Sequence, residues 1–189
     1  MDDVDRKIIS QLQLDGRTTL EELGKLAGLT SMGVKKRVDK LFEKDILKVT
    51  ALVNSKKLNL QVAVVLIEIE SSQAMQRLLE RFKDCPRVVH ILTALGGFNL
   101  IAIVVAEDSD TLESISVEKC SLRSSEGIRR SEFYSIGNIH YSQFLPIREY
   151  LTHKGITHTP CDVDCSTCHR YKTEKCVGCP VTTYYRGIL

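Results

Sequence analysis

The chain has 189 residues, enough for one or two domains whose hydrophobic cores need no disulfide bonds. It is 43% hydrophobic and 26% charged with a formal net charge of +2, so its total charge identifies no class of partner. The longest apolar runs, residues 62–67 and 100–106, are too short to span a bilayer, and the N-terminus lacks a signal peptide's apolar core. These features predict a cytoplasmic protein with no membrane partner.

The hydrophobic periodicity of the first fifty residues predicts three short helices. The first covers about residues 3–14. The second opens with a capping box, in which Thr19 and Glu22 satisfy each other's backbone amides. Either Thr30 or Ser31 caps the third. A helix, a tight turn and a second capped helix form the layout of a helix-turn-helix.

Positive charge is concentrated on the outer face of the third predicted helix and just after it. The basic residues are Lys35, Lys36, Arg37, Lys40, Lys44, Lys48, Lys56 and Lys57. A solvated helix face would carry such a run as well, but the helix-turn-helix layout favours contact with DNA. Residues 46–54 then change to an extended pattern, which predicts either a wing hairpin or a linker strand.

From residue 61 the pattern predicts the order strand, helix, strand, strand, helix, strand. This is the order of a ferredoxin-like βαββαβ sandwich, so the predicted fold class is α+β. Helices would cover only one face of its antiparallel sheet, and a homodimer is the natural way to cover the other. We expect domains at residues 1–60 and 61–140, followed by a linker helix and a cysteine-rich tail at 141–189.

Five of the seven cysteines lie in the last thirty residues, with the spacing C-x3-C-x2-C-x7-C-x2-C. Reduced cysteines in a cytoplasmic protein are typical of metal ligands, and two C-x2-C pairs could hold one tetrahedral metal. The predicted ligands are Cys161, Cys165, Cys168, Cys176 and Cys179. Five thiols are one too many for plain zinc, so zinc and an iron–sulfur cluster both stay open, as do the roles of Cys161 and the neighbouring His169. Cys85 and Cys120 stand alone and are interpreted as structural.

The order of these motifs resembles the Lrp/AsnC family of bacterial and archaeal transcription regulators over about residues 1–140. The family's opening run D-x-x-D-R-x-I-x-x-L is matched by Asp2, Asp5, Arg6, Ile9 and Leu12. The segment LTSMGVKKRVDKLFEKDIL resembles the family's recognition helix and its exit. The second half is similar to the ligand-sensing RAM domain, with Pro86 and Val88 in a P-x-V motif and a glycine turn before the third strand.

The resemblance implies a homodimer or larger assembly that binds double-stranded DNA through a winged helix-turn-helix and binds a small effector near the glycine turn. Matched by position, the DNA-binding residues would be Thr30, Ser31, Met32, Gly33, Lys35, Lys36, Arg37 and Lys40. The effector-binding residues would be Gly96, Gly97, Phe98 and Asn99. The family's turn usually reads G-x-Tyr-Asp, so the uncharged Asn99 weakens the prediction of an amino-acid effector.

Two other functions compete with transcription regulation. Some winged-helix–RAM chains resemble tetrapyrrole (siroheme-type) decarboxylases, but the histidine- and arginine-rich stretch after their P-x-V position is absent here. The chain also has no Ser-His-Asp set and no phosphate-binding glycine loop, so we predict that it is not an enzyme. A metal-storage protein would leave the basic third helix without a role.

Overall fold

The computed structural model describes residues 1–189 as two compact units, Met1–Ala51 and Leu52–Leu189. None of its helices combines the length and apolar character needed to cross a membrane. The first unit contains three helices, α1 (Asp3–Leu14), α2 (Leu20–Ala27) and α3 (Ser31–Glu43). The predicted helix-turn-helix is therefore confirmed.

The first unit is held together by a small apolar core and by its caps. The core consists of Ile8, Leu23, Val34 and Val38. The predicted capping box at Thr19 and Glu22 is present. Gly24 permits the tight turn after α2, because a Cβ atom there would lie 2.6 Å from the Leu29 carbonyl oxygen.

The wing hairpin does not form. Residues 46–52 contain no strand, and the extended run pairs only at its end, as the two-residue strand β1 (Val53–Asn54) in the second unit. Its partner is the strand β6 (Phe144–Leu145), far along the chain. The wing interpretation is therefore wrong, and the linker strand is reduced to Val53–Asn54.

The second unit has the predicted ferredoxin-like order. Its elements are β2 (Gln61–Ile69), α4 (Ser72–Phe82), β3 (Val88–Thr93), β4 (Leu100–Ala106), α5 (Ser109–Val117) and β5 (Ile128–Ser135). The strands form one antiparallel sheet in the order β3-β4-β2-β5. This topology confirms the α+β fold class.

The helices cover one face of this sheet. Alternate residues of β2, among them Val65 and Ile67, pack with Leu78 and Phe82 of α4 in the main core. Burying a side chain of this size stabilises the fold by about 1.5–3 kcal/mol. Cys161, from the C-terminal segment (residues 141–189), is buried in the same core.

The C-terminal segment covers part of the opposite face. A second apolar cluster joins Val62 and Val105 of the sheet to Ile147, Tyr185 and Leu189. The predicted linker helix is wrong, since residues 141–155 form β6 and a single 3-10 turn, Glu149–Leu151. Pro146 lacks the amide that a continuous helix would need, and Phe144–Leu145 pair with β1 instead.

Candidate DNA-binding helix and cysteine-lined cavity

Helix α3 presents its predicted DNA-binding side chains to solvent. Val34 and Val38 are buried in the core of the first unit, whereas Lys35, Lys36 and Lys40 on the other face are exposed. The start of the helix is also accessible: Thr30 and Ser31 are exposed, and Met32 is 62% exposed. The accessible face is therefore basic along the helix and small and polar at its first turn.

Thr30 has a structural function at the start of α3. Its hydroxyl accepts a hydrogen bond of 3.2 Å from the backbone amide of Gly33, so Thr30 is the N-cap residue. The sequence left the cap open between Thr30 and Ser31. Since the Thr30 hydroxyl is used by the cap, Ser31 is the freer hydroxyl at this end of the helix.

Arg37 differs from the neighbouring lysines because it is ion-paired within the first unit. Its guanidinium lies 2.7 Å from an oxygen of Asp2 and 2.8 Å from an oxygen of Asp5. Both carboxylates also form the capping box of α1. Hydrogen bonds to the Asp5 backbone and to Arg37 lower the pKa of Asp2, and those to Arg37 and to the Asp2 backbone lower the pKa of Asp5. Arg37 thus fastens α3 to the start of α1, and any contact with DNA would compete with these two pairs.

The glycine turn of the second unit lies between β3 and β4, and Asn99 closes it. Its side-chain oxygen accepts from the Ile69 amide and its side-chain nitrogen donates to the Ile69 carbonyl, both at 2.8 Å. Its backbone amide donates to the Ile67 carbonyl at 3.1 Å. Both functional groups of the Asn99 side chain are therefore used by the end of β2. In the same turn, the Arg130 guanidinium lies 4.2 Å from the centre of the Phe98 ring.

All seven cysteines line one cavity of about 360 Å³ in the second unit. The five predicted ligands come from the C-terminal segment. Cys85 follows α4 and Cys120 follows α5, so these two belong to the ferredoxin-like domain. The sequence interpretation of Cys85 and Cys120 as isolated residues missed this arrangement, and only their positions just after the two predicted helices could have suggested it.

The C-terminal segment is fastened to α5 around this cavity. The Ser114 hydroxyl donates to the Lys175 carbonyl at 2.8 Å, and the Arg170 guanidinium lies 2.7 Å from the Glu113 carboxylate. The amide of Val177 donates to the Thr111 hydroxyl at 3.2 Å. Specific polar contacts to α5 therefore hold the part of the C-terminal segment that forms the cavity wall.

Gly178 allows the second C-x2-C turn to form. Its φ is +86°, and a Cβ atom there would lie 2.7 Å from the Tyr184 carbonyl oxygen. A side chain would be strained both by the backbone conformation and by the lack of space. The turn between Cys176 and Cys179 thus requires glycine at this position.

Arg87 is a buried cation at the edge of the cavity. Its side chain is 8% exposed and pairs at 2.6 Å with Glu107, which is 4% exposed. The same Arg87 nitrogen donates to the Gly178 carbonyl at 2.8 Å, whereas its Nε and the second oxygen of Glu107 have no hydrogen-bond partner. Burial opposes the charge on Arg87, but Glu107 outweighs it and keeps the pKa of Arg87 above its ordinary value.

Burial also affects the pKa values of the cysteine thiols. It raises the pKa of Cys85, Cys120 and Cys165, and it raises that of Cys179 to about 12. Neighbouring thiols add to the effect, as Cys161 does for Cys85 and Cys120. Metal binding would have to displace protons from these sulfurs, as metal–thiolate sites do. The structure has no group of three or more His, Cys, Asp or Glu side chains placed to hold one metal ion.

Comparison with known proteins agrees with this architecture. A helix-turn-helix unit followed by a ferredoxin-like domain defines a two-domain transcription regulator with a ligand-binding domain. The model of the AsnC-type helix-turn-helix domain matches residues 1–41, and the model of the Lrp/AsnC ligand binding domain matches residues 62–136. The cysteine segment lies beyond both matches.

Three similar proteins illustrate the relationship. The HTH-type transcriptional regulator Rv2324 of Mycobacterium tuberculosis is 32% identical over 134 residues, which cover 70% of this chain and 88% of that protein. The HTH-type transcriptional regulator FL11 of Pyrococcus furiosus is 27% identical over 67% of this chain and 85% of its own length. The crystal structure of the Mycobacterium tuberculosis leucine response regulatory protein LrpA has a TM-score of 0.65 and 25% identity, covering 76% of this chain and 97% of that one.

The chain belongs to the Lrp/AsnC family, and it is a helix-turn-helix transcription regulator with a ligand-binding domain. The relatives described above are named as transcriptional regulators, which supports the prediction that the chain is not an enzyme. They give no support to the decarboxylase alternative.

The pairing of Arg37 with Asp2 and Asp5 predicts an acid-sensitive contribution to the stability of the first unit. The pKa of each carboxyl is lower in the folded chain than its ordinary value of 3.8. The contribution is therefore complete above that value and is lost as the pH falls through the lower, folded values. We expect Arg37→Ala to lower the thermal midpoint of the first unit at pH 7, measured by circular dichroism. Below about pH 4, the midpoint of this variant should decrease less steeply with falling pH than that of the wild type.

Lys35→Ala is the matched control, because it removes an exposed cation from the same helix without touching the two carboxylates. The thermal midpoint of Lys35→Ala should depend on pH in the same way as that of the wild type. Equal acid profiles for wild type and Arg37→Ala would contradict the assigned ion pairs.

Proposed function

We propose that this chain is a homodimeric regulator that binds specific DNA sequences through α3 and carries a metal site in its C-terminal segment. The observation that carries the DNA-binding part is the exposed basic face of α3, in a helix-turn-helix whose other face is buried. A helix presented in this way can enter the major groove, where lysines contact phosphates and the first turn contacts base edges.

The exposed residues of α3 have different expected roles. Lys36 and Lys40 would fix the register of the helix on phosphates, and Ser31 and Lys35 are the best candidates for base contacts. Thr30, Met32 and Gly33 would lie beside the groove at the first turn. Arg37 stays a predicted DNA-binding residue, although it would have to leave its carboxylate partners to bind a phosphate.

Lys35→Ala combined with Lys36→Ala should weaken the binding of duplex DNA at least about tenfold, because charge neutralisation dominates such affinities. The dependence of log K on log salt should become shallower by about 0.9 for each phosphate contact that is lost. Gel retardation or fluorescence anisotropy over a salt series measures both effects. A target fragment can be selected from random duplexes with the wild-type chain.

A charge-matched control is Lys154→Ala combined with Lys172→Ala, since both lysines are exposed and lie outside the first unit. This control should bind DNA like the wild type. If the Lys35/Lys36 variant kept full affinity and an unchanged salt dependence, the assignment of α3 as the recognition helix would be wrong.

The dimer proposal rests on the part of the sheet that lies outside the apolar cluster formed with the C-terminal segment. Leu66 of β2 lies opposite Ile101 of β4, which lies opposite Leu92 of β3, so the three form one apolar row across the sheet. Leu92 is 53% exposed, and Tyr134 on β5 is 51% exposed. In a two-fold symmetric dimer, the same row on a second copy of the chain would pack against this one.

Leu92→Glu should raise the dimer dissociation constant at least about tenfold, because it puts a charge into the centre of the proposed apolar interface. Sedimentation equilibrium over a concentration series measures this change. Val117→Glu is the control: Val117 is 62% exposed on α5, away from this face, and its variant should associate like the wild type. A wild-type chain that stays monomeric, or a Leu92 variant that associates normally, would contradict the proposal.

We also propose a small-molecule effector at the glycine turn, formed by Gly96, Gly97, Phe98 and Asn99. The support is the match to the Lrp/AsnC ligand binding domain. A structural relative from Neisseria meningitidis, the regulator NMB0573, was crystallised as a complex with L-Met; it has a TM-score of 0.68 and 20% identity over 75% of this chain and 93% of that chain. Because Asn99 is uncharged and both groups of its side chain are bound to the Ile69 backbone, this residue offers no carboxylate to an ammonium group.

The metal proposal assigns Cys161, Cys165, Cys168, Cys176 and Cys179 as ligands of zinc or an iron–sulfur cluster. Its support is that these five thiols line one cavity whose second C-x2-C turn is built around Gly178. Thiolate ligands would also explain why Cys161 is buried and the other four thiols are half-buried in a stretch, residues 161–179, with few other apolar side chains.

The chain purified without oxygen should contain metal in at least equimolar amount, measured by elemental analysis. Cys176→Ser combined with Cys179→Ser should lose most of it, because one complete C-x2-C pair is removed. Thr173→Ala, an exposed position between the two pairs, should keep the wild-type content. A metal-free wild-type chain with all thiols open to titration would contradict the proposal.

A further inference from the structure

Two thiols of the ferredoxin-like domain lie in the wall of the same cavity as the five thiols of the C-terminal segment. Cys85 is in the loop between α4 and β3, and Cys120 follows α5. Both pack against the core cluster in which Cys161 of the C-terminal segment is buried.

The number and distribution of the sulfurs exceed what one ion can use. A zinc ion and an iron–sulfur cluster each take four protein ligands, whereas seven thiols line this cavity, so such a site would use only some of them. They surround it without three of them meeting at one metal position. A group with several metal atoms could bridge such a distribution, and a single ion could not.

The size of the cavity points to the same kind of group. Its volume of about 360 Å³ is on the order of ten times the ~30 Å³ share of a water molecule. An iron–sulfur cluster brings inorganic sulfide as well as iron, so it occupies more space than zinc ions bound by protein thiolates alone. Val65, Phe82 and Ile115 contribute apolar walls on the side of the core.

Arg87 provides an independent observation that points to an anionic occupant. It lines the cavity and its side chain is more than nine-tenths buried, yet its Nε donor has no partner. Glu107 balances the charge of the guanidinium but does not line the cavity. The free N–H donor is therefore available to the sulfur of a thiolate-ligated cluster, which carries net negative charge.

We infer that Cys85 and Cys120 supply ligands, together with cysteines of the C-terminal segment, to one iron–sulfur site built jointly by the ferredoxin-like domain and that segment. This inference rests on the proposed metal site and narrows it, because it adds two ligands and selects iron with sulfide over zinc. The site would link the C-terminal segment to the ends of α4 and α5 through metal–sulfur bonds.

The test uses the full chain, purified without oxygen, with iron, zinc and acid-labile sulfide measured per chain. We expect iron and sulfide in similar amounts and a broad absorbance near about 400 nm. Cys85→Ala combined with Cys120→Ala should lose at least half of the iron or change the electron paramagnetic resonance spectrum of the reduced protein. Thr173→Ala, an exposed position outside the cavity lining, should keep the wild-type iron content and spectrum.

A measurement on the wild type avoids dependence on how well the variants fold. Thiol alkylation with peptide mapping should show Cys85 and Cys120 unreactive in the metal-bound chain and reactive after chelation, together with the five other cysteines. If chelation exposed only the five C-terminal thiols, or if the double variant kept the wild-type iron and spectrum, Cys85 and Cys120 would be structural and the inference would be wrong.

The outcomes separate this inference from the wider proposal. Zinc without sulfide would overturn the iron–sulfur assignment while supporting a metal site. Absence of any metal would overturn both this inference and the metal part of the proposed function. DNA retardation measured on the same preparations tests the regulator proposal separately, because α3 lies in the other compact unit.

Discussion

The central strand β2 has apolar side chains on both faces, so both faces of the sheet have to be covered by other parts of the structure. Val65 and Ile67 point to the helices, whereas Val62, Val64 and Leu66 point to the opposite side. Helices α4 and α5 satisfy the first requirement within the ferredoxin-like fold. The second is satisfied in part by the C-terminal segment, through contacts such as those of Leu189. The remaining apolar row is what gives the dimer proposal its physical basis, since exposed rows of this kind mark interaction surfaces.

The cysteine-bearing stretch of this segment, residues 161–179, has to be held in place by other means, because few of its side chains besides the cysteines are apolar. Polar contacts to α5 supply part of the fastening, and the buried pair of Arg87 and Glu107 supplies another part through the Gly178 carbonyl. A buried ion pair with two unpartnered polar atoms is an expensive arrangement unless something else binds there. A metal site at the adjacent cavity would turn this arrangement into a favourable one, because metal-binding free energy becomes folding free energy.

Much of the fold could be predicted from sequence because local patterns determine it. Helix periodicity and the Thr19–Glu22 capping box located the first unit, and the alternation in β2 located the sheet. What sequence could not show depends on contacts between distant residues. Arg37 looks like any other basic residue of α3, and its pairing with Asp2 becomes visible only in three dimensions. For the same reason, the meeting of Cys85 with thiols some eighty residues later has no local signal.

The C-terminal segment also connects the two faces of the sheet, and this is the structural basis for any regulation through the cysteines. After Cys179, which lines the cavity, the chain continues for ten residues to Leu189, which is buried against the opposite face. Near its start, the Gly178 carbonyl accepts a hydrogen bond from Arg87, and near its end the Leu189 amide donates to the Tyr185 hydroxyl. A change at the metal site that displaced Gly178 would therefore disturb both Arg87 and the chain that covers Val62 and Val105. Such a displacement would enlarge the uncovered apolar surface next to the proposed dimer row, so a change at the proposed metal site would reach the proposed dimer surface through these ten residues.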